Sequence, residues 1–135
     1  IMNNPEKWLA YRYRGEILMI NGDNNRAIND FNKATNSGLK VSKVYLLKGE
    51  VNIRNNNFEE AYDDLSRFII STEANDRELP RAFYNRGIAR FFSDDLEGAC
   101  IDWNFSASNG FLESLILINK NCEIVSSNTI DVPKN

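Results

Sequence analysis

No histidine occurs in this chain of 135 residues. Its absence removes histidine triads, most catalytic zinc sites and the commonest general base. Cysteine is scarce. Cys100 and Cys122 are the only two, too few for a structural zinc site without histidine, and neither has an obvious basic activator in sequence. Glycine is thinly spread, with Gly98 and Gly110 standing alone, so no glycine-rich phosphate loop is present. Positive charge is not in excess. The net charge is −3 and Lys and Arg form no stripe, which argues against nucleic-acid binding. No apolar run approaches the length of a bilayer span, and no charged-then-apolar leader is visible. The chain starts Ile1-Met2, an opening that suits removal of a leader or anchor, or an accessory module of a larger protein. What remains is 42% apolar and 26% charged, a composition expected of one domain with a single core. No catalytic residue, metal or cofactor is assigned.

Three segments superimpose when Gly15, Gly49 and Gly87 are set in register. An aromatic then falls four residues before each (Tyr11, Tyr45, Phe83), an alanine twelve after (Ala27, Ala61, Ala99) and a large apolar residue sixteen after (Phe31, Leu65, Trp103). Each unit opens with helical spacing, as in Trp8, Tyr11, Gly15 and Leu18. After a polar break it continues with a second helical pattern, as in Ala27, Ile28, Phe31 and Ala34. The breaks carry helix-start signals: Gly22-Asp23, Asn57 with Glu60, and Asp94 with Glu97. Glycine on the first helix is expected to face alanine on the second, letting the backbones approach. The acidic group Asp94, Asp95, Glu97 and Asp102 reads as charge favoured near a helix N-terminus rather than as a metal site.

These residues resemble the tetratricopeptide repeat (TPR), whose unit is about 34 residues. The resemblance implies an all-α fold: a right-handed α-solenoid of three helix-turn-helix units at 8–41, 42–75 and 80–113, plus a capping helix at 111–122. Together 1–122 form the TPR domain and 123–135 a C-terminal tail; the first residues, up to Pro5, are expected to fray. The third unit matches best, through Tyr84-Asn85-Arg86-Gly87 and Gly98-Ala99-Cys100 to Trp103. No unit keeps the late proline, and Phe68 and Ser106 replace an alanine. Four extra residues around Glu73–Arg77 predict a longer second helix or a bulged loop.

Cys100 is expected near the start of the third unit's second helix and Cys122 at the end of the capping helix. Antiparallel packing sets the start of one helix beside the end of the other, which permits the roughly 4.4–6.8 Å Cα separation that a disulfide needs without establishing it. Two readings stand: a disulfide in an oxidising compartment, or two buried thiols in a reducing one. The run Gly-Ala-Cys-x-Asp-Trp resembles small bacterial repeat proteins of the Bacteroidetes envelope, which favours a periplasmic or envelope location.

The resemblance further implies a non-enzymatic protein–protein interaction module, an adaptor or scaffold, that takes a partner peptide or helix in a concave groove lined by the first helices. Carried over, the groove comprises Arg12, Tyr13 and Glu16; Lys43, Leu46, Leu47, Glu50 and Arg54; and Arg81, Tyr84, Asn85, Ile88 and Phe92. Apolar anchoring is expected at Leu46, Leu47, Tyr84, Ile88 and Phe92, with Arg54 and Arg81 setting register. Arg12 with Glu16 and Glu50 with Arg54 are spaced to pair along one helix. Family members that clamp a chaperone's C-terminal carboxylate carry asparagine where this chain has Glu16 and Leu47 and arginine where it has Asn85, and Glu16 would repel a carboxylate, so that clamp is rejected. The alternative is a structural subunit assembling through its ends or convex face, such as a homodimer.

Overall fold

A computed structural model describes residues 5–36, 41–72 and 76–122. Within them run seven helices: α1 (Pro5–Ile20), α2 (Asn24–Thr35), α3 (Ser42–Arg54), α4 (Phe58–Ser71), α5 (Leu79–Phe92), α6 (Leu96–Ser108) and α7 (Glu113–Asn121). Each helix packs on the next, and α3 also touches both α1 and α5. The second helices α2 and α4 carry one apolar stripe each and are buried along it (Ala27, Phe31 and Ala34; Ala61, Leu65 and Phe68). By contrast α3 lies inside the stack, with Val44, Leu47 and Val51 in one core cluster and Leu46 in the next.

The three hairpin turns share one construction. Gly22, Asn56 and Asp94, each seven residues after its register glycine, have positive φ (85°, 61° and 65°). In every case the following amide donates back five residues: Asp23 to Leu18 O (2.8 Å), Asn57 to Asn52 O (2.8 Å) and Asp95 to Arg90 O (2.9 Å). This 6→1 bond is the Schellman stop, and it needs a left-handed residue. Because Asp94 occupies that position, it cannot cap α6 as expected. Asp95 caps instead, accepting from the Gly98 amide at 2.9 Å. Asn57 flanks α4 without a side-chain cap bond, its amide turned to Asn52 Oδ1.

The register glycines face the large residue sixteen ahead, not the alanine. A Cβ on Gly15 would come within 2.6 Å of Phe31 Cε1, on Gly49 within 2.5 Å of Leu65 Cγ, and on Gly87 within 2.6 Å of Trp103 Cδ1. Each hairpin is thus closed by a side chain lying across bare backbone. Ser106, the departure in the third unit, is fully buried and satisfied on both sides. Its hydroxyl donates to Pro80 O (2.7 Å) and accepts from Ser114 (2.8 Å), joining α5, α6 and α7.

Cys100 and Cys122 are joined by a disulfide, with Cα atoms 6.0 Å apart, fixing the end of α7 to the start of α6. The expected insertion falls partly on residues outside the described set. What is described there is an Asx-type turn, the Glu78 amide donating to Asp76 Oδ1 at 2.7 Å. The tail at 123–135 lies outside the described residues. Among those described, no helix is long and apolar enough to cross a membrane.

Candidate functional site

The first helices supply the candidate surface, and its charges are spent on one another. Arg12 donates to Glu16 at 3.0 Å within α1. Lys43 on α3 pairs with Glu78 just before α5. Arg81 grips Glu50 with Nε and Nη2, and Asn85 Nδ2 adds a third donor to that carboxylate at 3.2 Å. The Glu50 hydrogen bonds raise the Arg81 pKa above its ordinary value. Glu50 therefore does not pair with Arg54 along α3. Arg54 turns the other way and donates to Met19 O at 2.8 Å, tying α3 to α1.

Leu46 and Leu47 are 0% and 5% exposed, which corrects their reading as ligand anchors. An inner helix of a stack is covered on both flanks, so these side chains belong to two core clusters. Tyr13 stays 54% exposed on α1, in line with Ile17 and Ile20 (59% and 81%).

Tyr84, Ile88 and Phe92 do come together. With Phe91 and Trp103 they form one wall of a cleft of about 380 Å³, closed on the other side by Leu117, Lys120 and Asn121 of α7. Phe92 is 60% exposed, stacked on Phe58 at 4.7 Å and edge-on to Phe91 at 5.2 Å. Tyr84 packs on Phe111 at 4.9 Å, and burial raises its phenol pKa. The cleft is apolar, with one cation, Lys120, at its rim. Sequence reasoning missed Leu117 and Lys120 because α7 was read only as a cap. Leu117 sits three residues after the buried Ser114 and packs beside the cluster that holds Ile118, so spacing alone marks it as core and does not reveal the opening beside it.

A second repeated element also escaped notice. Arg14 bonds Asp30 (2.7 and 2.8 Å), Lys48 lies 3.5 Å from Asp64, and Arg86 bonds Asp102 (2.9 and 3.0 Å). All three pairs join the residue before the register glycine to the residue before the large apolar one. Asp102 is thus a buried hairpin tie, not a dipole-favoured surface charge. The hydrogen bond from Arg14 lowers the Asp30 pKa, whereas burial raises that of Asp64 despite Lys48 and Asn52. Asp64 lines a polar cleft of about 520 Å³ between α2, α3 and α4. Among the described residues no group of three or more acidic or cysteine side chains could hold a metal ion.

No protein-family model and no curated protein matches the sequence. In three dimensions the chain is similar to the first TPR of Spaghetti (RPAP3), solved bound to the HSP90 peptide SRMEEVD. The TM-score is 0.80 and the identity 20%, over 93% of this chain and 98% of that one. The fold is an all-α TPR solenoid.

Proposed function

We propose that the protein is a non-enzymatic interaction module that binds an extended or helical protein segment through the α5–α7 cleft. The observation that carries this reading is an apolar, aromatic-walled cleft left open beside first helices whose Arg12, Lys43, Glu50 and Arg81 are already paired. The structural neighbour holds an acidic peptide, but here Arg81 is engaged by Glu50 and Arg12 by Glu16. The partner is therefore apolar in its anchoring residues rather than a carboxylate-terminated tail. The Cys100–Cys122 disulfide fits an oxidising compartment such as a bacterial envelope.

Panning a random displayed-peptide library on the protein tests this. Peptides rich in large apolar residues should enrich, lose binding to Ile88→Glu and Tyr84→Glu at unchanged helicity, and keep binding to Arg12→Ala. No enrichment, or equal binding to all variants, overturns it.

One observation favours a second reading, a subunit that assembles through its ends. Tyr13, Ile17 and Ile20 form an exposed stripe on α1, and Leu112, Leu115 and Ile116 are exposed at α7. Concentration-dependent light scattering that Ile17→Glu abolishes would support assembly; a monomer at all concentrations would oppose it.

A further inference from the structure

Helix α7 supplies one wall of the α5–α7 cleft, yet it packs chiefly on α6. It is pinned there near both ends. At its start the buried Ser114 hydroxyl donates to Ser106 at 2.8 Å, and Ser106 donates on to Pro80 O. Just past its end Cys122 is bonded to Cys100. The pins lie eight residues apart, about 12 Å along a helix. Between them Ile118 is buried and Leu117 half-buried. The wall residues Leu117, Lys120 and Asn121 all fall within five residues of Cys122. Trp103, which lines the cleft, shares a core cluster with both cysteines. The disulfide thus holds the half of α7 that forms the wall.

We infer that the Cys100–Cys122 disulfide gates the cleft. With the bond formed, the wall is in place and the protein binds; with it reduced, the second half of α7 swings out from Ser114 and affinity falls. This inference rests on the cleft being an apolar binding site. Reduction takes a dithiol. One of its thiolates attacks a bridge sulfur and breaks the S–S bond, and its second thiol resolves the mixed disulfide. Cys100 and Cys122 gain two electrons and two protons and become thiols, and the dithiol becomes a disulfide. The Ser114 pin survives this step, so α7 opens locally while α1–α6 stay folded. A wall formed in about a tenth of the reduced molecules weakens apparent affinity about tenfold. The coupling is reciprocal: a bound partner, by requiring the wall, makes the bridge harder to reduce. A chain made in a reducing compartment becomes competent only where its bridge can form.

The test uses a fluorescent copy of the apolar peptide selected on the oxidised protein. Its anisotropy gives the affinity for the oxidised chain, for the chain held reduced in dithiothreitol, and for the double variant Cys100→Ser/Cys122→Ser. Binding should weaken about tenfold or more in the last two. Hydrogen exchange should show the amides of α1–α6 still protected and those of residues 117–121 released. Equal affinity for oxidised and reduced chains overturns the gate and leaves the cleft reading standing. Lost protection throughout α1–α6 also overturns it, because the protein then unfolds rather than opens. A peptide that binds oxidised wild type and Ile88→Glu equally overturns the cleft reading and the gate with it. A redox titration of the wild type with reduced and oxidised dithiothreitol needs no variant. Peptide saturating both forms should raise the dithiol-to-disulfide ratio at half-reduction by the same factor as the affinity ratio. An unmoved midpoint overturns the gate.

Discussion

Glu50 on α3 is held by Arg81 of α5 through two parallel hydrogen bonds, Nε to Oε2 at 2.5 Å and Nη2 to Oε1 at 2.9 Å. The bond crosses from unit two to unit three and occupies the cation that a carboxylate ligand would need. Peptides ending in Glu-Glu-Val-Asp should therefore show no clamp-type binding to the wild type. Glu50→Ala frees one face of Arg81, leaving it Glu78 at 3.7 Å, and should raise affinity for such a peptide. Calorimetric titration checks this; equal affinities would show that the pair does not govern charge selection. A double-mutant cycle should give a coupling of only about 1 kcal/mol, because Arg81 is about a third exposed and screened.

Gly87→Ala should destabilise the fold by a net of about 1–2 kcal/mol. Overpacking costs about 1–3 kcal/mol, while alanine returns up to about 1 kcal/mol of helix propensity. The indole cannot easily retreat, because Trp103 is 1% exposed and its Nε1 donates to Tyr84 O at 3.1 Å. Gly49→Ala should cost less, since Leu65 can change rotamer. Urea unfolding of both variants ranks them.

Asp94→Gly should stabilise the protein by about 1 kcal/mol, the strain of a non-glycine residue at positive φ. Asp94 is exposed and caps nothing. Gly22→Ala, at the equivalent turn, should destabilise by a similar amount. A thermal melt of each variant reads the sign.

Acid should act on Asp30 and Asp64 in opposite directions. The folded-state pKa of Asp30 is lowered by Arg14, so its contribution is present above the ordinary aspartate range and lost as pH falls through the lowered value. Asp64 is raised by burial, so its ionisation weakens the fold as pH rises from the ordinary range through the raised value. The stability of wild type relative to Asp64→Asn should therefore fall with rising pH in that window, and relative to Asp30→Asn it should rise across the lower one. Chemical denaturation at several pH values below 7 separates the two.

Replacing Cys100 and Cys122 by serine together should lower stability by about 3 kcal/mol, the loop-closure value for a bridge of this span, here 22 residues. Loss should begin in α7, whose burial is limited to Ser114 and Ile118. Hydrogen exchange of the α7 amides with and without reductant locates it. Unaltered protection would show that Ser114 and Ile118 suffice to hold the helix.

The repeat register was legible because helix pairing imposes the same contacts three times. The aromatic, glycine, alanine and large apolar positions each recur at fixed offsets. The ion pairs Arg14–Asp30, Lys48–Asp64 and Arg86–Asp102 recur in the same register, and their charges along the chain carried that signal unread. Asp95, not Asp94, caps α6, because local capping preference does not reveal which residue must turn left-handed to end the helix before it. Glycine facing Phe31, Leu65 and Trp103 rather than alanine is a matter of side-chain direction, which spacing alone leaves open.

The sequence by itself determined the helical hairpins and their number, since 3.6-residue periodicity and its repetition are properties of one strand of residues. Only the tertiary structure decided which faces remain for a partner. Leu46 and Leu47 sit where a groove-lining residue should, yet α3 has neighbours on both flanks and buries them. Arg54 and Glu50 are spaced to pair, yet each finds a better-placed partner on a different helix. Phe92 and Ile88 stay available because α7 stops short of covering α5. Burial and charge pairing depend on how units stack, and stacking joins residues that are remote along the chain.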